Sequence, residues 1–81
     1  MSAPLEIRYC ASCGYLTRAL SLAATIEREL GEAPALKPVS GGRYELWRGD
    51  ALILKRTLLR VPSEQAMMEA LRAHDAAHAN P

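Results

Sequence analysis

Aromatic side chains are scarce in this sequence, which has no Phe, one Trp and three Tyr among 81 residues. Proteins that bind single-stranded nucleic acid stack bases on several aromatic rings, so this composition argues against that class. Charge of one sign is also lacking, because ten Lys and Arg face nine Asp and Glu. Lys55 and Arg56, adjacent on a predicted strand, fall on opposite faces and form no basic patch. We therefore expect no nucleic-acid partner.

Long apolar runs and a secretory leader are lacking as well. No run approaches the ~18–20 apolar residues of a membrane span, and residues 1–8 show no basic region followed by an apolar stretch. We therefore expect a soluble, cytoplasmic chain with no membrane partner. Two Cys are too few for a disulfide scaffold. In a reducing compartment a close Cys pair is more often catalytic or metal-binding than structural.

The chain length allows one modest hydrophobic core. Domains typically contain ~100–200 residues, so we expect a single domain over residues 1–81. Residues 1–4 and 79–81 are expected to fray. The composition, 49% hydrophobic and 23% charged, is typical of a globular domain. The oligomeric state is left open by these features.

The first half of the chain carries a strand signal followed by a helix signal. Residues 5–9 alternate apolar and polar side chains, which predicts a strand with one buried face. Residues 15–30 repeat at the helical period, and Gly31 is suited to the helix end. The predicted buried face consists of Leu16, Ala19, Leu20, Leu22, Ala23, Ile26 and Leu30, opposite Arg18, Ser21, Thr25 and Arg28.

Three further strands are predicted in the second half. Residues 35–39 contain Pro38, which favours an edge strand because Pro has no N–H to donate. Residues 43–48 and 51–56 flank a Gly-Asp pair that fits a type II′ hairpin turn. The continuous apolar run at 52–54 predicts a strand that is covered on both faces.

The last helix is predicted to begin after Ser63, whose hydroxyl is suited to cap its N-terminus. Its buried stripe would contain Met67, Ala70, Leu71 and His74. The order is thus strand, helix, three strands, helix, which predicts an α/β fold. The first strand, helix and second strand can form a βαβ unit, and the hairpin then adds antiparallel strands. In this arrangement the fourth strand runs parallel to the first.

Cys10 and Cys13 form a C-x-x-C motif where the first strand gives way to the helix. We expect both to lie in the first helical turn, where unpaired N–H groups and the helix dipole stabilise a thiolate. One sulfur can attack a substrate to form a mixed disulfide, and the second can then release it. A C-x-x-C beside a βαβ pattern indicates a thioredoxin-like redox motif.

The pair has two other interpretations. The cysteines could be small buried hydrophobes, or zinc ligands together with His74 and His78. About sixty residues separate Cys13 from His74, whereas finger-type sites use ~12–15. The last helix also leads away from the cysteine edge. We therefore expect no metal site within this chain, while metal binding by the two cysteines and a second chain remains an alternative.

The segment 9–15, Y-C-A-S-C-G-Y, resembles the redox loop of the selenoprotein W-like proteins, the Rdx family, whose pattern is Y-C-x-x-(C or selenocysteine)-G-Y. The resemblance continues along the chain. Residues 42–46 resemble the family's G-x-aromatic-E-aliphatic strand. Residues 49–53 and Lys55 resemble its hairpin turn and following strand, and residues 61–62 resemble a Phe-Pro that opens its last helix.

The resemblance implies a compact thioredoxin-like fold, β-α-β-β-β-α, with a mixed four-stranded sheet and two helices. It also implies a thiol–disulfide oxidoreductase that acts in cell redox homeostasis. Cys10 and Cys13 would be the catalytic pair, with Ala11, Ser12 and Gly14 supporting the redox loop. No bound cofactor is expected. Glutathione, as a co-substrate, and protein thiols or disulfides are the candidate partners.

Two departures from the family pattern bear on the chemistry. Cys13 occupies the position of selenocysteine, and Val61 replaces a Phe that would cover the motif. In thioredoxin-type enzymes the attacking sulfur would be that of Cys10, whereas in the selenoprotein relatives it would be that of Cys13, which we favour. The alternative function is a non-catalytic, redox-gated interaction module, with the hairpin edge or the Pro38 edge as its docking surface.

Overall fold

The computed structural model describes residues 3–78. Its elements are β1 (Leu5–Cys10), α1 (Leu16–Leu30), β2 (Ala35–Val39), β3 (Tyr44–Arg48), β4 (Ala51–Lys55) and α2 (Glu64–Ala77). This is the order predicted from the sequence. The segment 79–81, which was expected to fray, lies outside the described residues, as do residues 1 and 2.

The strands form one four-stranded sheet in the order β2-β1-β3-β4. β1 pairs in parallel with β2 and antiparallel with β3, and β3 pairs antiparallel with β4. The prediction of a mixed four-stranded sheet with two helices is confirmed. β2 is an edge strand, as its proline indicated. Because β1 and β4 run in the same direction, their carboxyl ends lie at the same edge of the sheet.

Both helices pack on one face of this sheet and build the core against it. In β1 the side chains of Leu5, Ile7 and Tyr9 point into this core, and alternation places Glu6 and Arg8 on the other face. The core consists of Leu5, Ile7, Tyr9, Ala19, Leu22, Ile26, Tyr44, Leu46, Met67, Met68 and Leu71. The outer face is polar, since Arg8 pairs with Glu6 and its guanidinium lies 4.3 Å from the Trp47 ring centroid.

The apolar run 52–54 is not covered on both faces, which corrects the prediction. β4 is an edge strand, and the side chain of Leu52 is 41% exposed. Leu46 pairs with Leu54 and Trp47 with Leu52, so Ile53 is an extra residue in a β-bulge. The bulge lets both Ile53 and Leu54 contact the core. A shift in strand register, rather than burial from two sides, explains the consecutive apolar residues.

The β3–β4 turn also holds the start of the chain. Gly49 has φ 59°, and no non-glycine residue of the described chain has positive φ, which agrees with the predicted type II′ turn. The Gly49 N–H donates to the Pro4 carbonyl at 2.8 Å, and a Cβ on Gly49 would lie 2.7 Å from Ala3 Cβ. Ala3 and Pro4 are therefore fixed against the sheet instead of frayed.

The buried face of α1 is rotated from the predicted one. Ala19, Leu22, Thr25 and Ile26 are buried, whereas Leu16 and Leu20 are 43% and 51% exposed. Thr25 is buried because the start of α2 packs against it, and its hydroxyl donates to a Glu64 oxygen at 2.6 Å. The helix ends at Gly31, in the left-handed conformation, as predicted.

The predicted start of α2 is confirmed, since the Ser63 hydroxyl accepts the Ala66 N–H at 3.0 Å. Its buried residues are Met67, Met68 and Leu71, while Ala70 and His74 of the predicted stripe are partly exposed. Neither helix within residues 3–78 is long and apolar enough to cross a membrane.

An ion cluster centred on the buried Arg48 joins the ends of three elements. The side chain of Arg48, 5% exposed, donates to both Asp75 oxygens at 3.2 and 2.6 Å and to a Glu32 oxygen at 2.6 Å. It also donates to the Ala3 carbonyl at 2.9 Å. Arg48 therefore ties β3 to α2, to the loop after α1 and to the first described residue.

Arg48→Ala should lower the free energy of unfolding by about 3 kcal/mol, because it leaves two carboxylates and a carbonyl without their donor. Arg72→Ala is the matched control, since the exposed pair of Arg72 with Glu29 should contribute less than about 1 kcal/mol. Urea unfolding of both variants measures the difference. Equal losses would show that the Arg48 cluster does not hold the fold together.

The Glu64 carboxylate makes the free energy of unfolding depend on pH in the acid range. The Ser21 hydroxyl and then the Thr25 hydroxyl donate to it and lower its pKa, against the opposing effect of burial. A lowered folded-state pKa stabilises the fold above the unfolded-state pKa, and this contribution disappears as pH falls through the folded-state value. Glu64→Gln should therefore flatten the loss of stability between about pH 5 and pH 3.

Glu69→Gln is the control for this experiment, since Glu69 is exposed on the same helix and, within residues 3–78, its side chain accepts a single hydrogen bond, from Gln65 at 3.4 Å. It should leave the acid limb of the stability curve unchanged. The assignment to Glu64 is wrong if Glu64→Gln keeps the wild-type slope.

Candidate redox site

Cys10 is the last residue of β1 and lies at the end of the sheet where β4 also terminates. The Cys10 N–H donates to the Arg43 carbonyl at 2.7 Å, just before β3. Cys10 is 2% exposed. Cys10, the last residue of β1, is therefore held by pairing with Val39 of β2 on one side and by the residue before β3 on the other.

A tight turn separates the two cysteines from α1. Residues 11–13 form a single 3₁₀ turn, and Gly14 follows in the left-handed conformation with φ 81°. The Gly14 N–H donates to the Ala11 carbonyl at 3.0 Å, and the Tyr15 N–H reaches the Cys10 carbonyl at 3.3 Å. The expected position in the first turn of α1 is thus wrong. A positive φ interrupts the helical path, so α1 begins only at Leu16.

Cys10 and Cys13 are joined by a disulfide, with their Cα atoms 5.3 Å apart. Their environments differ, because Cys10 is buried and Cys13 is exposed. The Ser12 hydroxyl lies 3.4 Å from the Cys10 sulfur. A disulfide sulfur has no proton, so the hydroxyl is the donor in this contact. A reagent in solvent therefore has better access to the Cys13 sulfur than to the Cys10 sulfur.

The supporting residues of the predicted loop have different positions. Ala11, Ser12 and Gly14 are all exposed. Ser12 faces the Cys10 sulfur, and Gly14 supplies the left-handed turn. Ala11 contributes the carbonyl that closes this turn.

An aromatic pair beside the turn was missed by the sequence reasoning. The rings of Tyr15 and Tyr44 have centroids 5.7 Å apart and planes inclined by 48°. Burial, which outweighs the opposing effect of Arg18, raises the pKa of Tyr44 to about 12, with a further increase from Glu64. Tyr44 is therefore a neutral core residue that supports Tyr15. In the sequence, Tyr15 directly follows Gly14, and Tyr44 lies two residues after Gly42, which was the available indication that both tyrosines matter. Their contact with each other depends on the pairing of β1 with β3.

His74 and His78 lie at the other end of α2. Their rings stack with centroids 4.1 Å apart, and His78 Nδ1 lies 2.8 Å from the His74 carbonyl oxygen. Within residues 3–78, no three His, Cys, Asp or Glu side chains are grouped so that they could hold a metal ion.

The Rdx family model matches residues 4–73. The chain belongs to the Rdx family. The match includes the turn with both cysteines, all four strands and most of α2. It confirms the resemblance that residues 9–15 and the later segments indicated. A comparison with curated proteins gave no match.

Solved structures share the fold of this Rdx-family chain. A selenoprotein W-related protein from Vibrio cholerae is 26% identical with a TM-score of 0.78, over 91% of this chain and 98% of that chain. A protein from Bordetella parapertussis is 28% identical with a TM-score of 0.73, over 91% of this chain and 99% of that chain. The predicted thioredoxin-like fold is thereby confirmed.

Gly14→Ala should cost about 1 kcal/mol of stability, because Ala is strained at φ 81° although its Cβ would meet no atom within 4 Å. Gly31→Ala is the matched control, at φ 73° and equally free of contacts. The disulfide spans the turn that Gly14 ends, so we expect the strain to fall mainly on the oxidised state. We expect Gly14→Ala alone to raise the Cys10–Cys13 reduction potential, by up to about 20 mV.

Equilibration in glutathione buffers, followed by alkylation and intact mass, measures this potential. Equal shifts in both glycine variants, or a lower potential for Gly14→Ala, would contradict a role of the Gly14 turn in holding the disulfide.

Proposed function

We propose that this Rdx-family chain is a thiol–disulfide oxidoreductase of the selenoprotein W-like type that acts in cytoplasmic redox homeostasis. The observation that carries the proposal is the asymmetry of the cysteine pair. Cys10 and Cys13 are close enough to be bonded, yet only Cys13 is exposed to a substrate. This arrangement supports Cys13 as the attacking sulfur and Cys10 as its partner.

In the reduced chain the Cys13 thiolate attacks one sulfur of a substrate disulfide. A Cys13–substrate disulfide forms, and the other substrate sulfur leaves as a thiolate. The Cys10 thiolate then attacks the Cys13 sulfur, which closes the internal disulfide and releases the second substrate thiolate. Two electrons pass from the pair to the substrate. The two protons given up by the cysteines end on the released thiols.

Two thiols restore the starting state, and glutathione is the candidate donor. The first glutathione thiolate attacks the exposed Cys13 sulfur, and Cys10 leaves as a thiolate. The Ser12 hydroxyl beside Cys10 can donate to that thiolate and stabilise it. A second glutathione then attacks the glutathione sulfur of the mixed disulfide. This attack releases glutathione disulfide and the Cys13 thiolate. Protein thiols could replace glutathione in the same steps.

A redox-gated interaction module is the second candidate. Leu58 and Leu59 favour it, because apolar side chains exposed to solvent are typical of a binding surface. The two sheet edges suggested by the sequence are poorly suited to strand addition. Pro38 has no backbone N–H to donate at the β2 edge, and the bulge at Ile53 distorts the hydrogen-bonding pattern of β4. Turnover of a disulfide substrate distinguishes the enzyme from the module.

Single cysteine variants test the assignment of the attacking sulfur. Cys10→Ser should form a stable mixed disulfide with a disulfide substrate, because Cys13 attacks and no second sulfur resolves the product. Cys13→Ser should form at least about tenfold less, because burial hinders its remaining sulfur. Intact mass after acid quenching measures both, and the double variant provides the blank.

The opposite ranking would reassign the attack to Cys10. No mixed disulfide in either variant, together with no turnover by the wild-type chain, would contradict the oxidoreductase function and favour the interaction module.

A further inference from the structure

The loop between β4 and α2 exposes two neighbouring leucines. Leu58 and Leu59 are 93% and 97% exposed, far more than the other large apolar side chains of the described residues. Two backbone hydrogen bonds close the loop, from the Thr57 N–H to the Arg60 carbonyl at 3.0 Å and from the Arg60 N–H to the Thr57 carbonyl at 3.4 Å. A closed turn thus holds both leucines in water. Exposed apolar groups held in this way are typical of an interaction site.

A groove of about 620 Å³ lies beside these leucines. Its walls are residues 41–45 and 55–59. The sequence placed Lys55 and Arg56 on opposite faces of one strand, but β4 ends at Lys55. Arg56 lies outside the strand and therefore does not follow its alternation of faces. Both cations line the same groove as a result.

The groove carries unbalanced positive charge. Its lining cations are Arg43, Lys55 and Arg56, and its only lining carboxylate, Glu45, accepts two bonds from Arg43 at 3.0 Å each. Within residues 3–78, neither Lys55 nor Arg56 has a carboxylate within 4.0 Å. Among the described residues, the Arg56 guanidinium has a single hydrogen bond, to the Gly42 carbonyl at 3.2 Å, and its Nε has no partner. An acidic occupant would compensate these charges.

The groove adjoins the redox turn through Arg43. This residue lines the groove, and its carbonyl accepts the Cys10 N–H at 2.7 Å. The parallel direction of β1 and β4 explains the proximity, since the turn after β1 and the loop after β4 leave the same edge of the sheet. A segment that fills the groove therefore lies beside the cysteine turn.

We propose that this groove binds an acidic, leucine-rich segment of the protein whose disulfide reacts at Cys13. The proposal rests on the proposed oxidoreductase function and names its substrate class. Acidic side chains of the segment meet Lys55 and Arg56, and its apolar side chains cover Leu58 and Leu59. A polypeptide fits better than an anionic membrane, because a flat membrane would meet the leucines and leave the concave groove beside the redox turn empty.

A peptide without cysteine tests binding separately from the redox chemistry. The probe is a fluorescein-labelled ten-residue peptide of Glu, Leu and Ser, and its counterpart has Lys in place of every Glu. Fluorescence anisotropy with the oxidised full chain measures both affinities. We expect the acidic peptide to bind at least about tenfold more tightly, and this preference to shrink as salt is added.

Two double variants test the place of binding. Leu58→Ala with Leu59→Ala should weaken acidic-peptide binding at least about fivefold. Leu20→Ala with Leu52→Ala removes two other exposed leucines, 51% and 41% exposed, that do not line the groove. This control should change the affinity less than about twofold. Circular dichroism checks that both variants are folded.

Equal affinity for the two peptides, or an equal loss in both double variants, would overturn the proposal. Binding to phosphatidylserine vesicles that depends on Leu58 and Leu59, without peptide binding, would overturn it in favour of a membrane. If the cysteine pair turns over but no peptide binds, only the docking proposal fails. If the peptide binds but the pair never exchanges, the oxidoreductase function fails, and the substrate role of the segment fails with it.

Discussion

β1 occupies the interior of the sheet, and the rest of the molecule is arranged around its two ladders. It is hydrogen-bonded to β2 on one side and to β3 on the other. Every second side chain of β1 contributes to the core. Cys10 is the last residue of the strand and lies at the end of the sheet. Because both neighbours fix this strand, the position of Cys10 is determined by the sheet and not by a flexible loop.

Polar contacts between distant residues complete the attachment of the helices. Arg48 joins β3 to Asp75 in α2 and to Glu32 after α1, while Glu64 joins the start of α2 to hydroxyls of α1. A chain of this length buries a limited apolar area, so directional bonds of this kind help to select one arrangement of the helices. They also explain why Thr25 lies in the interface between the helices.

The chemistry of the site follows from a difference in access between two neighbouring sulfurs. Gly14 ends the 3₁₀ turn, so α1 begins only after both cysteines. Cys13 is exposed in this turn, whereas Cys10 is buried. The same sheet edge carries the groove between residues 41–45 and 55–59. The proposed thiol exchange at Cys13 and the proposed binding of acidic segments in the positively charged groove would thus take place at the same end of the sheet.

Local patterns in the sequence were sufficient for the elements, the helix caps, the hairpin turn and the C-x-x-C motif, because each depends on residues close together in the chain. Period, proline and glycine predicted β1, the β2 edge and the C-terminal end of α1, and Ser63 predicted the start of α2. The bulge at Ile53, the rotated face of α1 and the Arg48 cluster depend on which elements meet across the fold. The exposure of Cys13, its separation from α1, and the convergence of Lys55 and Arg56 on one groove were likewise decided by tertiary structure. Burial and charge pairing depend on residues far apart in sequence, which no local pattern specifies.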